Sequence, residues 1–363
     1  MKTRMLDKDM AAFLHMLEQH AGERHAIIIQ NYPDPDAISS AFAHKVMAKK
    51  YNITCDILYN GVVSHQENKA LISLLDIELI RYTEATPLDV YDHTVFIDNQ
   101  GVTSSLTKLF AKANITPLII MDHHEHQGVI SAELEIIAKT GATATLYTQL
   151  IQNGAIEFKK TDGLSKAIAT ALMHGIRSDT ITFLNGHKED YQAATFLSEY
   201  YDEEALLTIT NQSRSRTVMN IVQKALENRV INNGFSLSGI GYLRLEDRDS
   251  IPQAADFLLT EEDVHTTLVF GIVIEEKEQE ILTGSFRTSK LTMDTDQFLK
   301  NVFGQNTAGE FYGGGRKQAG AFEIPIGFLS GELDPSFSQN KWELYNSMVR
   351  QRIFKQIGVE NQT

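Results

Sequence analysis

The sequence predicts an α/β fold: an N-terminal, mostly parallel, doubly wound sheet, a helical connector, and a smaller C-terminal α/β domain with a mixed sheet. Three observations carry this. In the first half, apolar runs at AIIIQ (26–30), CDILY (55–59), TVFID (94–98) and PLIIMD (117–122) alternate with stretches of helical spacing. Strands that are apolar along their whole length are covered on both faces, and a β, α, β, α rhythm joins them in parallel. From 188 to 232 one helical pattern follows another, through HKEDYQAATFLSEYYDEEALL and TVMNIVQKALENRV. After Asn232-Asn233-Gly234 the strands lengthen and alternate, as antiparallel strands with one wet face do.

Along the chain, AIIIQ is followed by NYPDPDAISS, two aspartates set among two prolines. Each proline locks its own φ and donates no hydrogen bond. Each also pushes the preceding residue, Tyr32 or Asp34, into an extended shape. A helix is therefore expected only after Asp36, over 37–50, with Asp34 and Asp36 in the turn that opens it. Further helical patterns lie at 65–75, 103–112, 142–153 and 164–176. In the second half FSLSGIGYLRL (235–245), HTTLVFGIVIE (265–275) and EILTGSFRTS (280–289) read as strands, with helices near 251–260 and 294–303. A glycine cluster at 313–315 precedes the last strand, AGAFEIPI, and 339–355 reads as a C-terminal helix. The expected domains are 1–187, a connector at 188–232, 233–330, and a helical tail at 331–363.

The totals narrow the function classes. With 363 residues there is room for two cores, and 42% hydrophobic with 22% charged residues describes an ordinary globular chain. Cys55 is the only cysteine, so neither a disulfide framework nor a thiolate metal cluster is available. No apolar run approaches the roughly 20 residues of a membrane span. The start, MKTRMLDKDMAAFL, carries acidic residues and is a poor signal peptide, so cytoplasm is the expected location. A net charge of −14 argues against a broad basic face for duplex DNA, though not against a small anion held locally.

Strand ends carry the chemistry. Asp34 and Asp36 follow the first strand, Asp98 ends the third, Asp122-His123-His124 ends the fourth, and Asp179 follows a helix in HGIRSDT. Each has an ordinary structural reading. Asp36 can be a helix N-cap, Asp98 can open a turn in DNQG, and Asp179 can sit at a helix end. Their coincidence at strand ends, where ligands gather in doubly wound folds, is what capping alone does not require. Clustered carboxylates are costly unless a cation compensates them, and carboxylates with imidazoles suit Mn²⁺ or Mg²⁺, with Zn²⁺ and Fe²⁺ as alternatives. In the second half, FYGGGRKQAG places Arg316 and Lys317 after three glycines, with Arg287 on a nearby strand pattern. Gly313, Gly314 and Gly315 fit a tight turn, or a backbone that closely approaches an anion.

The ordered set DPDA, FIDN, MDHH and SDT resembles the four motifs of the DHH phosphoesterases. That superfamily includes RecJ-type exonucleases, nanoRNases, cyclic-dinucleotide phosphodiesterases and manganese-dependent pyrophosphatases. SFRTS and GGGRKQAGAF resemble the DHH-associated C-terminal domain, so the resemblance spans about residues 25–328. It implies two divalent ions, Mn²⁺ first and Mg²⁺ as the alternative, about 3.5–4 Å apart. It implies Asp98 as the bridging ligand, Asp36, His123 and Asp179 completing one site, and Asp34 in the other. Asp98, His123 and His124 would be the catalytic residues, with His124 on the substrate phosphate and Asp122 holding the histidines. Arg287, Gly313 to Gly315 and Arg316 would hold the rest of the substrate.

Two positions depart from the family pattern. Gln30 stands where a histidine usually serves the Asp34-side ion, and an amide oxygen is the weaker ligand for a transition metal. Arg316 replaces the histidine of a GGGH loop, and arginine grips phosphate bidentately. The expected activity is hydrolysis of dinucleotides or short oligonucleotides to mononucleotides, with the two domains closing over a short ligand. The alternatives are a cyclic-dinucleotide phosphodiesterase, a single-strand exonuclease, or a nucleotide-binding sensor with a weakened metal site. The expected partner is a short nucleic acid or nucleotide rather than a membrane or duplex DNA, and a homodimer is one allowed assembly.

Overall fold

The computed structural model describes residues 7–63, 65–275, 279–316, 318–331 and 334–359. Lys317, named above, lies outside the described residues. The chain divides into two compact units, Met1–Ser213 and Arg214–Thr363.

In the first unit, six strands form one sheet: β1 (Arg24–Ile28), β2 (Thr54–Tyr59), β3 (Leu79–Arg81), β4 (His93–Ile97), β5 (Thr116–Asp122) and β6 (Leu134–Ile137). Their order is β3-β2-β1-β4-β5-β6, and every pair is parallel. The helices are α1 (Asp7–Gln19), α2 (Pro35–Lys49), α3 (Gln66–Leu74), α4 (Leu106–Lys112), α5 (Thr143–Gln152), α6 (Gly163–Asp179), α7 (Lys188–Leu197) and α8 (Glu203–Thr210). Successive strand residues feed opposite cores, as the period of two requires. Ile27, Ile57, Val95, Ile97 and Met121 pack with residues of α2, α5 and α6. Ala26, Ile28, Leu58, Phe96 and Ile120 pack with Leu106 and Phe110 of α4.

The strand order positions the site. After β1 the chain turns toward β2, and after β4 it turns the other way, toward β5. The loops leaving the carboxyl ends of these adjacent strands therefore diverge and leave a crevice between them.

Three local details differ from the sequence reading. The helix after the prolines begins at Pro35, earlier than Ala37, because proline is well suited to the first helical turn, where its missing N–H has no partner to lose. Asp34, rather than Asp36, is the N-cap, accepting the Ala37 N–H at 2.9 Å. Helix α1 and the short strands β3 and β6 add to the predicted set. The helical spacing of Met10, Phe13, Leu14 and Leu17 marks α1, whereas β3 and β6 are brief edge strands with weak patterns.

The second unit comprises α9 (Arg216–Asn228), β7 (Val230–Asn232), β8 (Phe235–Arg244), α10 (Ser250–Leu258), β9 (Thr266–Ile274), β10 (Glu280–Thr288), α11 (Thr295–Phe303), β11 (Gly313–Arg316), β12 (Ala319–Pro325) and α12 (Pro335–Gln356). The sheet order is β11-β12-β10-β9-β8-β7. It is mixed, because β8 and β9 are parallel and the other pairs antiparallel. Of the helices predicted at 188–232, α7 and α8 belong to the first unit and α9 to the second. The tail helix α12 buries Val349 and Ile353 in the second unit's core. It also sets Lys341 against Glu280 at 2.5 Å, both nearly inaccessible. The glycine cluster is no turn: Gly313–Arg316 is strand β11, paired along its length with β12.

Candidate metal centre

The crevice between β1 and β4 gathers the acidic motifs. Asp98, just past β4, has φ of 55°, a left-handed conformation that is uncommon for a residue with a side chain. Its carboxylate is buried. Oδ1 accepts the Thr143 hydroxyl at 2.9 Å and Oδ2 accepts the Gln30 side-chain N–H at 2.7 Å. Asp36, in the first turn of α2, is also buried. Its oxygens accept the backbone N–H groups of Thr143 and Ala144, each at 2.7 Å. Ala142, the N-cap of α5, lends no side chain, so Asp36 satisfies that helix end from a distant part of the chain.

His123 points its Nε2 among three carboxylates. It lies 3.2 Å from Asp179 Oδ2, 3.6 Å from Asp98 Oδ1 and 4.0 Å from Asp36 Oδ2. Its Nδ1 donates to the Thr140 carbonyl at 3.1 Å, which leaves Nε2 as the coordinating atom of a neutral ring. That Nε2 is buried and makes no well-formed hydrogen bond. His124 is held differently. Its Nδ1 and backbone N–H both bond Asp122 Oδ1, at 2.6 and 3.1 Å. Asp122 Oδ2 accepts the Gln100 amide at 2.7 Å. Asp122 thus fixes His124 alone, and the expectation that it orients both histidines gives way to Thr140 for His123.

Asp179 reaches this point from the last turn of α6. Gly175, one turn earlier, permits it: a Cβ there would collide with Ser39 Oγ and come within 3.2 Å of the Asp36 Cα. The absence of a side chain lets α6 lie close against α2.

Titration shifts show what the cluster lacks. Burial, then the charge of Asp179, pushes the Asp34 carboxyl up to about 6. Burial and the neighbouring carboxylates raise Asp36 and Asp98 well above the usual range. Burial alone would lower His123, but the Asp179 carboxylate 3.2 Å from its Nε2 and the charge of Asp36 push it up to about 9. Crowded carboxylates that hold a proton on an adjacent imidazole are short of positive charge. A divalent cation supplies that charge and takes the Nε2 lone pair. The donor set, carboxylates with an imidazole, fits Mn²⁺ or Mg²⁺ chemistry. Two ligand groups close to coordinating separation are Asp36, His123, Asp179 and Asp98, Asp122, His123, His124.

The Asp34 side is built differently. Gln30 donates from one amide nitrogen to Asp98 Oδ2 and, at 3.3 Å, to Asp34 Oδ2. The side chain where the family pattern has a histidine thus acts as a donor that ties the two carboxylates together.

Several supporting residues carry no local signal. Thr143, Thr140 and Gln100 reach the site through bonds to residues far along the chain. Asp190 accepts the Gly141 N–H with both oxygens and the Thr145 hydroxyl at 2.6 Å, anchoring the loop that presents Thr143. Only its part in the capping box at the start of α7 was open to sequence reading.

In the second unit, Arg287 on β10 and Arg316 on β11 both pair with Ala319 on β12. Directly opposed residues share a face, so the two arginines lie on one face of the sheet, two strands or about 9.5 Å apart. Arg287 is oriented by Asp256 at 2.7 Å and Ser285 at 2.7 Å. Gly315 and Arg316, with Leu291, Asp294, Asp296 and Gln318, line a concavity of about 350 Å³. The Gly315 N–H is taken by Asp296 Oδ1 at 3.2 Å, and Gly313, Gly314 and Gly315 pair with Phe322, Ala321 and Gly320 of β12.

The model of the DHH family, N-terminal domain, matches residues 25–176. An uncharacterized protein of Methanocaldococcus jannaschii is 35% identical over 352 residues, covering 95% of this chain and 67% of the relative. Among solved structures, an exopolyphosphatase-related protein from Bacteroides fragilis has the same fold. Its TM-score is 0.65 at 16% identity, over 95% of this chain and 98% of that one. RecJ from Thermus thermophilus, solved in complex with Mn²⁺, aligns at a TM-score of 0.48 and 12% identity, over 98% of this chain and 60% of RecJ. No helix among the described residues is long and apolar enough to cross a membrane. With the ordered motifs meeting in one crevice of this fold, the chain belongs to the DHH family of metal-dependent phosphoesterases.

Proposed function

We propose that the chain hydrolyses the phosphodiester bond of dinucleotides and short oligonucleotides, releasing mononucleotides, with Mn²⁺ as the preferred ion. The supporting observation is the convergence of Asp36, Asp98, His123 and Asp179 on one buried point, with Asp34 beside it. Asp36, Asp98, His123 and Asp179 would hold one cation, and Asp34 with Asp98 would offer a second, weaker position. A bound divalent cation lowers the pKa of a water and offsets charge on phosphoryl oxygens. Thr140 and Thr143 hold His123 and Asp98 in orientation, so neither reorganises when substrate arrives. Asp122, fixed by Gln100, binds His124 through Nδ1 and so directs the opposite ring nitrogen toward a substrate phosphate. Within the second unit, Arg316 beside its concavity and Arg287 on the same sheet face would offer charge to a phosphate.

Asp98→Ala and His123→Ala should each abolish divalent-dependent turnover of a linear dinucleotide. Full activity retained by both purified variants would overturn the assignment. A second reading, a nucleotide-binding sensor, is favoured by Gln30, whose amide lies against the carboxylates where a cation ligand is expected. Linear dinucleotides, cyclic dinucleotides, pyrophosphate and longer single strands, each assayed with Mn²⁺ and Mg²⁺, separate the readings: a sensor binds nucleotide and releases no product.

A further inference from the structure

A second cluster of metal-type ligands lies at the opposite end of the first unit's strands. The stretch HAGERH, residues 20–25, runs from the end of α1 into β1 and carries His20, Glu23 and His25. His93 opens β4, and its Cα is the register partner of His25. These positions are at the amino ends of β1 and β4, whereas the acidic centre lies beyond their carboxyl ends.

The three imidazoles converge on one carboxylate oxygen. Glu23 Oε2 lies 2.9 Å from His20 Nδ1, 3.0 Å from His25 Nε2 and 2.9 Å from His93 Nδ1. The ligand atoms all fall within 4.8 Å of one another. His25 is fully buried and its Nδ1 has no hydrogen-bond partner, so its polar contact is the one that Nε2 makes with Glu23. His20, His93 and Glu23 keep 17%, 19% and 29% of their side chains exposed, which leaves an entry path for an ion. The hexapeptide's own cation is engaged elsewhere: Arg24 pairs with Asp56 at 2.6 Å.

We propose that His20, Glu23, His25 and His93 form a structural zinc site that ties the α1–β1 turn to β4. Three imidazoles and one carboxylate fill all four positions of a tetrahedral ion, and closed sites of this kind hold structure rather than catalyse. With metal–ligand distances of about 2.0–2.1 Å, the ligand–ligand edges of such a tetrahedron are about 3.3 Å. The imidazole–carboxylate separations are already within a few tenths of an ångström of that. Closing the site requires the three rings to draw together by at most about 1.5 Å. Nitrogen-rich sites also prefer zinc to manganese, so the two centres would sort their ions by ligand type.

The test uses the full chain with the acidic centre silenced by Asp98→Asn and His123→Ala. After chelator dialysis, reloading with Zn²⁺ and desalting, elemental analysis should find one zinc per chain. Reloading with Co²⁺ should give the intense visible absorption of a tetrahedral ion. His20→Ala and His93→Ala, both at partly exposed positions, should each lose the zinc and the cobalt band. Glu23→Gln, nearly isosteric, should lose them with an unchanged circular dichroism spectrum. In the otherwise native chain, His20→Ala should leave Mn²⁺-dependent dinucleotide turnover unchanged, because the two centres are at opposite ends of the strands. A silenced chain that retains no zinc, or whose zinc survives in folded Glu23→Gln and His93→Ala variants, would overturn the proposal.

Discussion

Asp34→Asn should stabilise the cation-free protein while weakening its response to Mn²⁺. Burial, with the charge of Asp179 added, raises the Asp34 carboxyl from the usual 3.8 to about 6. At about 1.36 kcal/mol for each tenfold change in proton affinity, the ionised form costs the fold at most about 3 kcal/mol at pH 8. Asparagine keeps the N-cap bond to the Ala37 N–H, since Asn and Asp cap about equally well. It turns the Gln30 contact into a mismatch worth about 1 kcal/mol. The net gain is about 2 kcal/mol, or about 4–8 °C in the melting temperature of a unit of this size. The sign follows from linkage. The folded carboxyl binds its proton more tightly than the unfolded one, so this group's stabilising contribution is complete below pH 3.8 and is lost as pH rises through about 6. The variant's advantage should therefore be present at pH 8 and vanish near pH 4. Calorimetry of chelator-dialysed chains at both values measures it. On adding Mn²⁺ the order should reverse, because the native chain gains ion binding that the variant has weakened. An Asn variant no more stable than the native chain at pH 8, or equally advantaged at pH 4, would refute the argument that the carboxylates are held against their own repulsion.

Three further perturbations test other parts of the site. Gln30→His should replace an amide donor by an imidazole ligand and raise the manganese equivalents retained after desalting from one toward two, as read by elemental analysis; an unchanged manganese count would show that the Asp34 side is limited by something other than this residue. Gly175→Ala should wedge α6 from α2, destabilising by about 1–3 kcal/mol and displacing Asp179, so that titration calorimetry reads weaker Mn²⁺ binding. Asp122→Asn should free His124 and lower kcat about 10–100-fold with the cation count unchanged, because the lost bond orients a ring and ligates nothing in the cluster His123 forms with Asp36 and Asp179.

Most of the elements, and the chemistry of their ends, are legible in the chain alone; α1 and the short strands β3, β6 and β11 are among the exceptions. Runs such as Ala26–Ile29 and Leu118–Met121 are continuous because both faces of a parallel strand are covered, and that constraint is local enough to read. The paired prolines, the acidic strand ends and the two histidines mark the candidate cation site, because residue type and strand-end position together suggest it. How the site is held is a tertiary matter. Asp36 caps a helix more than 100 residues away, Thr143 bonds Asp98, and Asp190 pins the loop at Gly141. No spacing within the chain encodes these bonds, because each joins groups that only the sheet order β3-β2-β1-β4-β5-β6 makes neighbours. The glycine run shows the same limit: three glycines are as compatible with a turn as with a strand, and only pairing with β12 chose the strand. So does the histidine cluster at the amino ends of the strands, where His93 joins His20, Glu23 and His25 through strand register alone. Periodicity records what each segment buries. Which distant groups meet depends on how the strands are ordered, and that order exists only in the folded chain.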